Sequence, residues 1–142
     1  MTVPEGFQAL DASPFTELVG PLYIDARGAV PVLGIEVLPR HANTHGWAHG
    51  GLLATLADVA LSRAVRAHLP DGTSMATADL HIAFLDSVVP GSWLEARPTV
   101  DRAGRSIIHA SCVVCDGERV VARALGTWAV RLGGGDSSAA PG

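Results

Sequence analysis

The sequence contains no lysine: its 10 basic residues are all arginines, set against 14 Asp and Glu, for a formal net charge of −4. Non-specific nucleic-acid binding needs a clustered basic face, which scattered arginines in a mildly acidic chain do not provide. No apolar run approaches the roughly 20 residues of a membrane helix. The N-terminus lacks a basic start and a long apolar segment, so we expect no signal peptide and a soluble cytoplasmic protein.

Cysteine is scarce, and neither pattern that resembles a metal site is convincing. Cys112 and Cys115 are three residues apart on a predicted strand and should point to opposite faces, so they are expected to be ordinary strand residues. His41, His45 and His49 have a spacing that could bind a metal on a helix, but their segment is predicted to be a loop. We therefore expect no metal site.

Charged side chains are also few, at 17% against 48% hydrophobic residues, which argues against disorder and suggests that a partner covers part of the surface. A length of 142 residues fits one domain. We expect an N-terminal extension at residues 1–20, with a short helix from Ser13 or Pro14 to Val19. The domain proper should cover residues 21–132, and the Gly-, Ser- and Ala-rich tail at residues 133–142 should be disordered.

The apolar pattern predicts an α+β fold in which one long helix lies against a curved antiparallel sheet. The helix covers residues 48–69 and is stopped by a Pro-Asp-Gly sequence. Asp116-Gly117 is a strong hairpin signal, and Pro98 suggests a bulge or an unpaired position in its strand. Strands are predicted at residues 22–25, 32–38, 76–85, 93–101, 106–115 and 118–132.

Asp58 is the one ionisable residue in the most apolar part of this helix, residues 51–61. Its neighbours at i±3 and i±4 include no cation, only the hydroxyls of Thr55 and Ser62. A poorly solvated carboxylate of this kind is a candidate general base or nucleophile. The helix pattern alone leaves open a second interpretation, in which Asp58 emerges at the sheet edge and meets water.

The start of the helix favours the functional interpretation. His49-Gly50-Gly51 opens it, and glycine lets a ligand approach the backbone closely. The first N–H groups of a helix have no internal acceptor and lie at the positive end of the helix dipole. Such donors can stabilise the negative charge that develops on a carbonyl oxygen during acyl transfer.

Gly50 and Asp58 are too far apart to act together within one chain. Eight residues of helix separate them by about 12 Å along the axis. One carbonyl group cannot be within hydrogen-bond reach of both. If the two act on the same substrate, they come from different chains with antiparallel helices, so the hypothesis requires a dimer.

Residues 43–58, Asn-Thr-His-Gly-Trp-Ala-His-Gly-Gly-Leu-Leu-Ala-Thr-Leu-Ala-Asp, resemble the hotdog-fold thioesterases of the phenylacetic-acid-degradation (PaaI-like) type. These belong to the 4-hydroxybenzoyl-CoA thioesterase-like superfamily. The resemblance implies a long helix wrapped by an antiparallel sheet, a homodimer or homotetramer, an acyl-CoA substrate, and no metal or redox cofactor.

The resemblance also implies roles for individual residues. Asp58 would be the nucleophile or general base, and the Gly50 N–H would polarise the thioester carbonyl with His49 beside it. Asn43 would orient the carbonyl or the attacking water, and Thr77 would position water.

Four further residues are expected to contact the substrate. Gly51 would contact the substrate, Trp47 would line the acyl pocket, and Arg102 or Arg105 would meet the phosphates of CoA. Two sequences depart from the family pattern at residues 47–48 and 87–88, which bears on the shape of the acyl pocket. Two alternatives remain: an acyl-CoA-sensing domain without catalysis, and, more weakly, a hotdog dehydratase or hydratase.

Overall fold

A computed structural model describes residues 1–131, so the tail predicted at residues 133–142 lies outside the described residues. The predicted α+β class is confirmed, with one long helix and an antiparallel sheet. A short 3-10 helix, Pro39–His41, precedes the long helix. The other elements are β1 (Gln8–Ala9), α1 (Pro14–Val19), β2 (Tyr23–Asp25), β3 (Val32–Glu36), α2 (Gly50–Ala67), β4 (Ser74–Phe84), β5 (Trp93–Ala103), β6 (Ile107–Asp116) and β7 (Arg119–Arg131).

The seven strands form one sheet in the order β1-β2-β3-β5-β6-β7-β4, and each neighbouring pair is antiparallel. The helix α2 packs its apolar face on this sheet because leucine, alanine and valine recur there at helical spacing. β4 lies at the edge, so among the described strands one side of its 11 residues is unpaired. The buried residues of α2 are Leu52, Leu53, Leu56, Ala57, Ala60, Leu61, Ala64 and Val65.

Two residues of the N-terminal segment take part in the sheet. β1 pairs with β2 through Gln8 and Ala9. α1 begins after Ser13, whose side chain accepts a hydrogen bond from the Thr16 N–H. Two residues of strand are too short to give a periodic sequence pattern, which is why β1 was not predicted. No helix among residues 1–131 is long and apolar enough to cross a membrane.

Of the two alternatives predicted for Pro98, a bulge or an unpaired position, the structure shows the second. The bulge of β5 lies further along, between Val100 and Arg102. Pro98 lies beyond Ala96, the last β5 residue paired with β3, so a residue without an N–H is tolerated there. The hairpin predicted at Asp116-Gly117 is confirmed: Gly117 has a φ of 62°, and Asp116 pairs with Arg119.

Cys112 and Cys115 lie on opposite faces of β6, as predicted: Cys112 pairs with Pro98 and belongs to the hydrophobic core, whereas Cys115 pairs with Glu95 on the other face of the sheet. Both are nevertheless buried, and both are free thiols. Burial raises the pKa of the Cys112 thiol to about 12, which keeps it protonated and unreactive at neutral pH.

Trp128 is the largest fully buried side chain, and a glycine makes room for it. A Cβ added at Gly126 would lie 2.3 Å from Cη2 of the Trp128 indole. The indole is enclosed by the core and has no space to move away. Any side chain at position 126 therefore competes with Trp128 for the same volume.

We predict that Gly126→Ala lowers the free energy of unfolding by about 1–3 kcal/mol, the usual cost of overpacking a core. Gly28→Ala is the matched control, since a Cβ there meets only the Val30 carbonyl oxygen at an ordinary 3.5 Å. Urea unfolding of both variants at one protein concentration measures the difference. Equal stability of the two variants would contradict this description of the core.

Candidate active site

The start of α2 presents one unpaired backbone donor. His49 is the N-cap, and its Nδ1 accepts a hydrogen bond from the Gly51 N–H at 2.8 Å. The Gly51 donor is thus used inside the chain, although the sequence placed it beside the substrate. The Gly50 N–H has no acceptor within residues 1–131. At the first position of the helix it also lies at the positive end of the dipole.

A second donor lies in the same pocket as Gly50. The Asn43 Oδ1 accepts hydrogen bonds from the backbone N–H groups of His45 and Trp47, at 2.9 and 3.2 Å. These bonds fix the orientation of the amide, and its NH₂ group has no partner in the described part of the chain. We call this the donor pocket; it has a volume of about 400 Å³ and is lined by Asn43, Trp47, Ala48, Gly50, Leu53, Phe84, Leu85, Asp86, Ser87 and Val88.

Asp58 opens into a different cavity, the carboxylate cleft, with a volume of about 510 Å³. The Thr77 hydroxyl donates to its Oδ1 at 3.1 Å. Burial raises the pKa of Asp58, and the hydrogen bond from Thr77 partly opposes that rise. Arg63 lines the same cleft, but the described salt bridges include none to Asp58. The carboxylate is therefore poorly solvated and held by a single neutral donor.

The sequence did not assign several residues of the carboxylate cleft. Leu10 and Phe15, from the N-terminal segment, close it on one side, and Leu80 of β4 closes it on another. No local pattern relates these residues to Asp58, because they are brought there by the packing of distant segments. Ser62 also lines the cleft, and its position four residues after Asp58 was the one available indication.

The structure keeps the two halves of the predicted site apart within one chain. Asp58 and Thr77 are in contact, and Asn43, Trp47 and Gly50 share the donor pocket, but no described cavity contains both groups. Arg102 and Arg105 are exposed around the turn from β5 to β6 and line neither cavity.

His41 has a structural role. It is buried, its Nδ1 accepts from the Leu38 N–H at 3.0 Å, and its Nε2 lies 2.7 Å from the Val19 carbonyl oxygen. Because a carbonyl only accepts, Nε2 carries the proton and the ring is neutral. Both nitrogens are thereby engaged and tie the 3-10 helix to the end of α1. Within residues 1–131, no three His, Cys, Asp or Glu side chains are grouped as a metal site would require.

Comparison with known proteins agrees with this architecture. The sequence model of the Thioesterase superfamily matches residues 45–123. A Pseudomonas aeruginosa protein named as a putative esterase is 40% identical over 131 residues, covering 90% of this chain and 97% of the relative.

Two solved structures were compared in the same way. A mutant of the phenylacetic acid degradation protein PaaI from Thermus thermophilus is 28% identical, with a TM-score of 0.75 over 84% of this chain and 100% of that one. A Bacillus halodurans protein solved with CoA is 29% identical, with a TM-score of 0.67 over 70% of this chain and 66% of that one.

The long helix, the antiparallel sheet and these similarities together define a PaaI-like hotdog-fold thioesterase. The chain belongs to the Thioesterase superfamily, and it is a thioester hydrolase.

Loss of the hydrogen bond from Thr77 to Asp58 should change the pH dependence of kcat/KM. Thr77→Val removes a donor that favours the charged carboxylate, so the pKa of Asp58 should rise further. We expect the acidic limb of the kcat/KM profile to move to higher pH. Thr127→Val, on the exposed face of β7, is the matched control. An unmoved acidic limb in Thr77→Val would show that Asp58 does not control this limb.

The charged form of Asp58 should also lower the free energy of unfolding. Its folded-state pKa is raised above the unfolded value of about 3.9, so the cost is absent in acid and grows as pH rises through the folded pKa. Asp58→Asn never ionises and should be more stable than the parent at about pH 7.5, with a smaller advantage near pH 4. Thermal unfolding at fixed protein concentration tests this, with Asp71→Asn, in the exposed turn after α2, as control. If the stability advantage of Asp58→Asn is larger near pH 4 than near pH 7.5, the pKa of Asp58 is lowered in the folded protein rather than raised.

Proposed function

We propose that this thioester hydrolase cleaves acyl-CoA to the free acid and CoA, with Asp58 as its general base or nucleophile. The proposal rests on a half-buried carboxylate that opens into a cleft and that, among residues 1–131, is hydrogen-bonded only by the Thr77 hydroxyl. The PaaI name and the CoA in the Bacillus halodurans protein support a CoA thioester as the substrate.

The chemistry can follow two routes, both using the same groups. In the first, Asp58 takes a proton from water, whose oxygen attacks the thioester carbon. In the second, the carboxylate attacks directly and water then hydrolyses the mixed anhydride. In both, negative charge collects on the carbonyl oxygen, the C–S bond breaks, and the sulfur leaves as thiolate and takes up a proton. The unpaired donors of Gly50 and Asn43 suit that oxygen.

The proposed site is shared by two chains. Because α2 carries Gly50 and Asp58 about 12 Å apart, a second α2 running antiparallel would bring the donor pocket of one chain to the carboxylate cleft of the other. The free edge of β4 supports this arrangement, since Thr77 lies on that strand beside Asp58. Pairing of two β4 edges would hold the helices in register.

The remaining substrate contacts follow from this arrangement. Trp47 is 49% exposed at the mouth of the donor pocket and would cover the substrate once the two chains meet. Arg102 and Arg105 lie on the surface, where the phosphates of CoA would be solvated. Their contact with CoA is a proposal supported by charge alone.

Asp58→Asn tests the catalytic assignment, because asparagine keeps the shape of the side chain and removes the base. We expect kcat on the best acyl-CoA to fall at least about 100-fold, the lower range for loss of a general base. The assay measures free thiol over short, medium, long and aryl acyl-CoAs. Asp71→Asn serves as control, being an exposed carboxylate away from both cavities.

The outcomes separate the alternatives. Unchanged turnover in Asp58→Asn would contradict the mechanism. Tight binding of acyl-CoA without hydrolysis by the parent protein would indicate a sensor. A low kcat in the variant with KM little changed would support a role in the transition state.

A further inference from the structure

Two cavities lie end to end along α2, and Phe15 of α1 stands between them. On one side of Phe15 lies the carboxylate cleft, which contains Asp58. On the other side lies a second cavity of about 430 Å³, which we call the α1 cavity. Phe15 and Thr55 are the two residues that line both cavities. The other apolar side chains of the α1 cavity are those of Leu18, Val19, Ala42 and Leu52.

Phe15 supplies most of the bulk of this boundary. Thr55 is a small side chain on a rigid helix, and its hydroxyl donates to the Gly51 carbonyl oxygen of the same helix at 2.8 Å. Phe15 belongs to a different element, α1, and carries a full aromatic ring. Truncation of Phe15 would therefore join the two cavities into one channel along α2.

Both cavities suit an apolar chain. The apolar side chains that line the carboxylate cleft include Leu10, Phe15, Val59 and Leu80. His41 lines the α1 cavity, but both of its ring nitrogens are already hydrogen-bonded within the chain. The pantetheine arm of CoA carries amide groups that need hydrogen-bond partners when they are buried, whereas an acyl chain needs none. These walls therefore fit an acyl chain better than the pantetheine arm.

Phe15 does not hold α1 in place. Its side chain is 60% exposed, and α1 contains no buried residue. α1 is fixed at its ends instead, by the Ser13 cap and by the hydrogen bond from His41 Nε2 to the Val19 carbonyl oxygen at 2.7 Å. Loss of the ring should therefore cost the fold little. An acyl chain bound against Phe15 would cover apolar surface that otherwise faces water.

We propose that Phe15 limits the length of the acyl group, which extends from the thioester beside Asp58 towards α1 and ends against the ring; this rests on the function proposed above. Thr55 lies about 4.5 Å before Asp58 along the helix axis, so the boundary follows soon after the reacting carbonyl. Acyl groups that fit within the carboxylate cleft are favoured, and a longer chain must displace the ring. The α1 cavity becomes available to substrate when the ring is removed.

Phe15→Ala tests this limit through kcat/KM for hexanoyl-CoA and dodecanoyl-CoA. We expect the dodecanoyl-to-hexanoyl ratio to rise at least about tenfold, the lower value for one methylene gained in an apolar pocket. Phe15→Trp should lower the ratio, because a larger ring narrows the boundary further. Opposite shifts in these two variants cannot come from a loosened α1, which would raise the ratio in both.

Leu18→Ala is the matched control, since Leu18 is a 78% exposed apolar residue on the same helix and lines the α1 cavity alone. It should change the ratio much less than Phe15→Ala. A readout without turnover is the binding of S-hexyl-CoA and S-dodecyl-CoA, thioethers that cannot be hydrolysed. Isothermal titration calorimetry should show the ratio of their Kd values shifting in favour of the dodecyl compound in Phe15→Ala.

Three results would overturn the proposal: unchanged ratios of kcat/KM and of Kd in Phe15→Ala, a higher dodecanoyl preference in Phe15→Trp, or an equal rise in Leu18→Ala. The proposed function is judged separately by Asp58→Asn. If that variant is inactive while Phe15→Ala leaves both ratios unchanged, the carboxylate mechanism stands and the chain-length role fails. If Asp58→Asn is fully active, the proposed function itself fails, and the Kd ratio of the thioethers still decides whether Phe15 limits the chain.

Discussion

A single rigid helix carries both the unpaired donor of Gly50 and the carboxylate of Asp58, and its rise of about 1.5 Å per residue holds them apart. The separation cannot be relieved by side-chain movement, because the donor is a backbone group. A single carbonyl group that contacts both the Gly50 N–H and the Asp58 carboxylate must therefore lie between two copies of α2. In the proposed two-chain site, the second chain would cover the half-exposed Trp47 and the edge of β4 that is unpaired among the described strands.

In the proposed mechanism, the burial that makes Asp58 a stronger base also makes its charged form costly to the fold. The apolar surroundings that raise its pKa also make the charged form unfavourable. A salt bridge would stabilise it and lower its basicity, and no described cation forms one. Thr77 supplies a single neutral hydrogen bond instead, and Trp128 holds a second hydroxyl, that of Ser62, within the same cleft.

The sequence predicts the candidate functional groups better than it predicts the side chains that surround them. Asp58 stands out as a lone charge on an apolar helix, and His49-Gly50-Gly51 marks the helix start, because both depend on a few consecutive residues. The walls of the cleft come from segments far apart in sequence. No periodic pattern therefore indicates that Phe15 lines the cleft or that Trp128 contacts Ser62. The sequence also does not reveal that the Gly51 N–H is used within the chain, because the hydrogen bond to His49 Nδ1 depends on the conformation of the helix cap.

Complementation between two inactive variants tests the shared site most directly. Asp58→Asn removes the carboxylate half, and Gly50→Val obstructs the donor half beside Phe84. Unfolded together and refolded, they form mixed dimers with one intact site each, so activity should return to about a quarter of the parent value by random pairing. Activity no greater than that of the two variants refolded separately would contradict a site built from two chains.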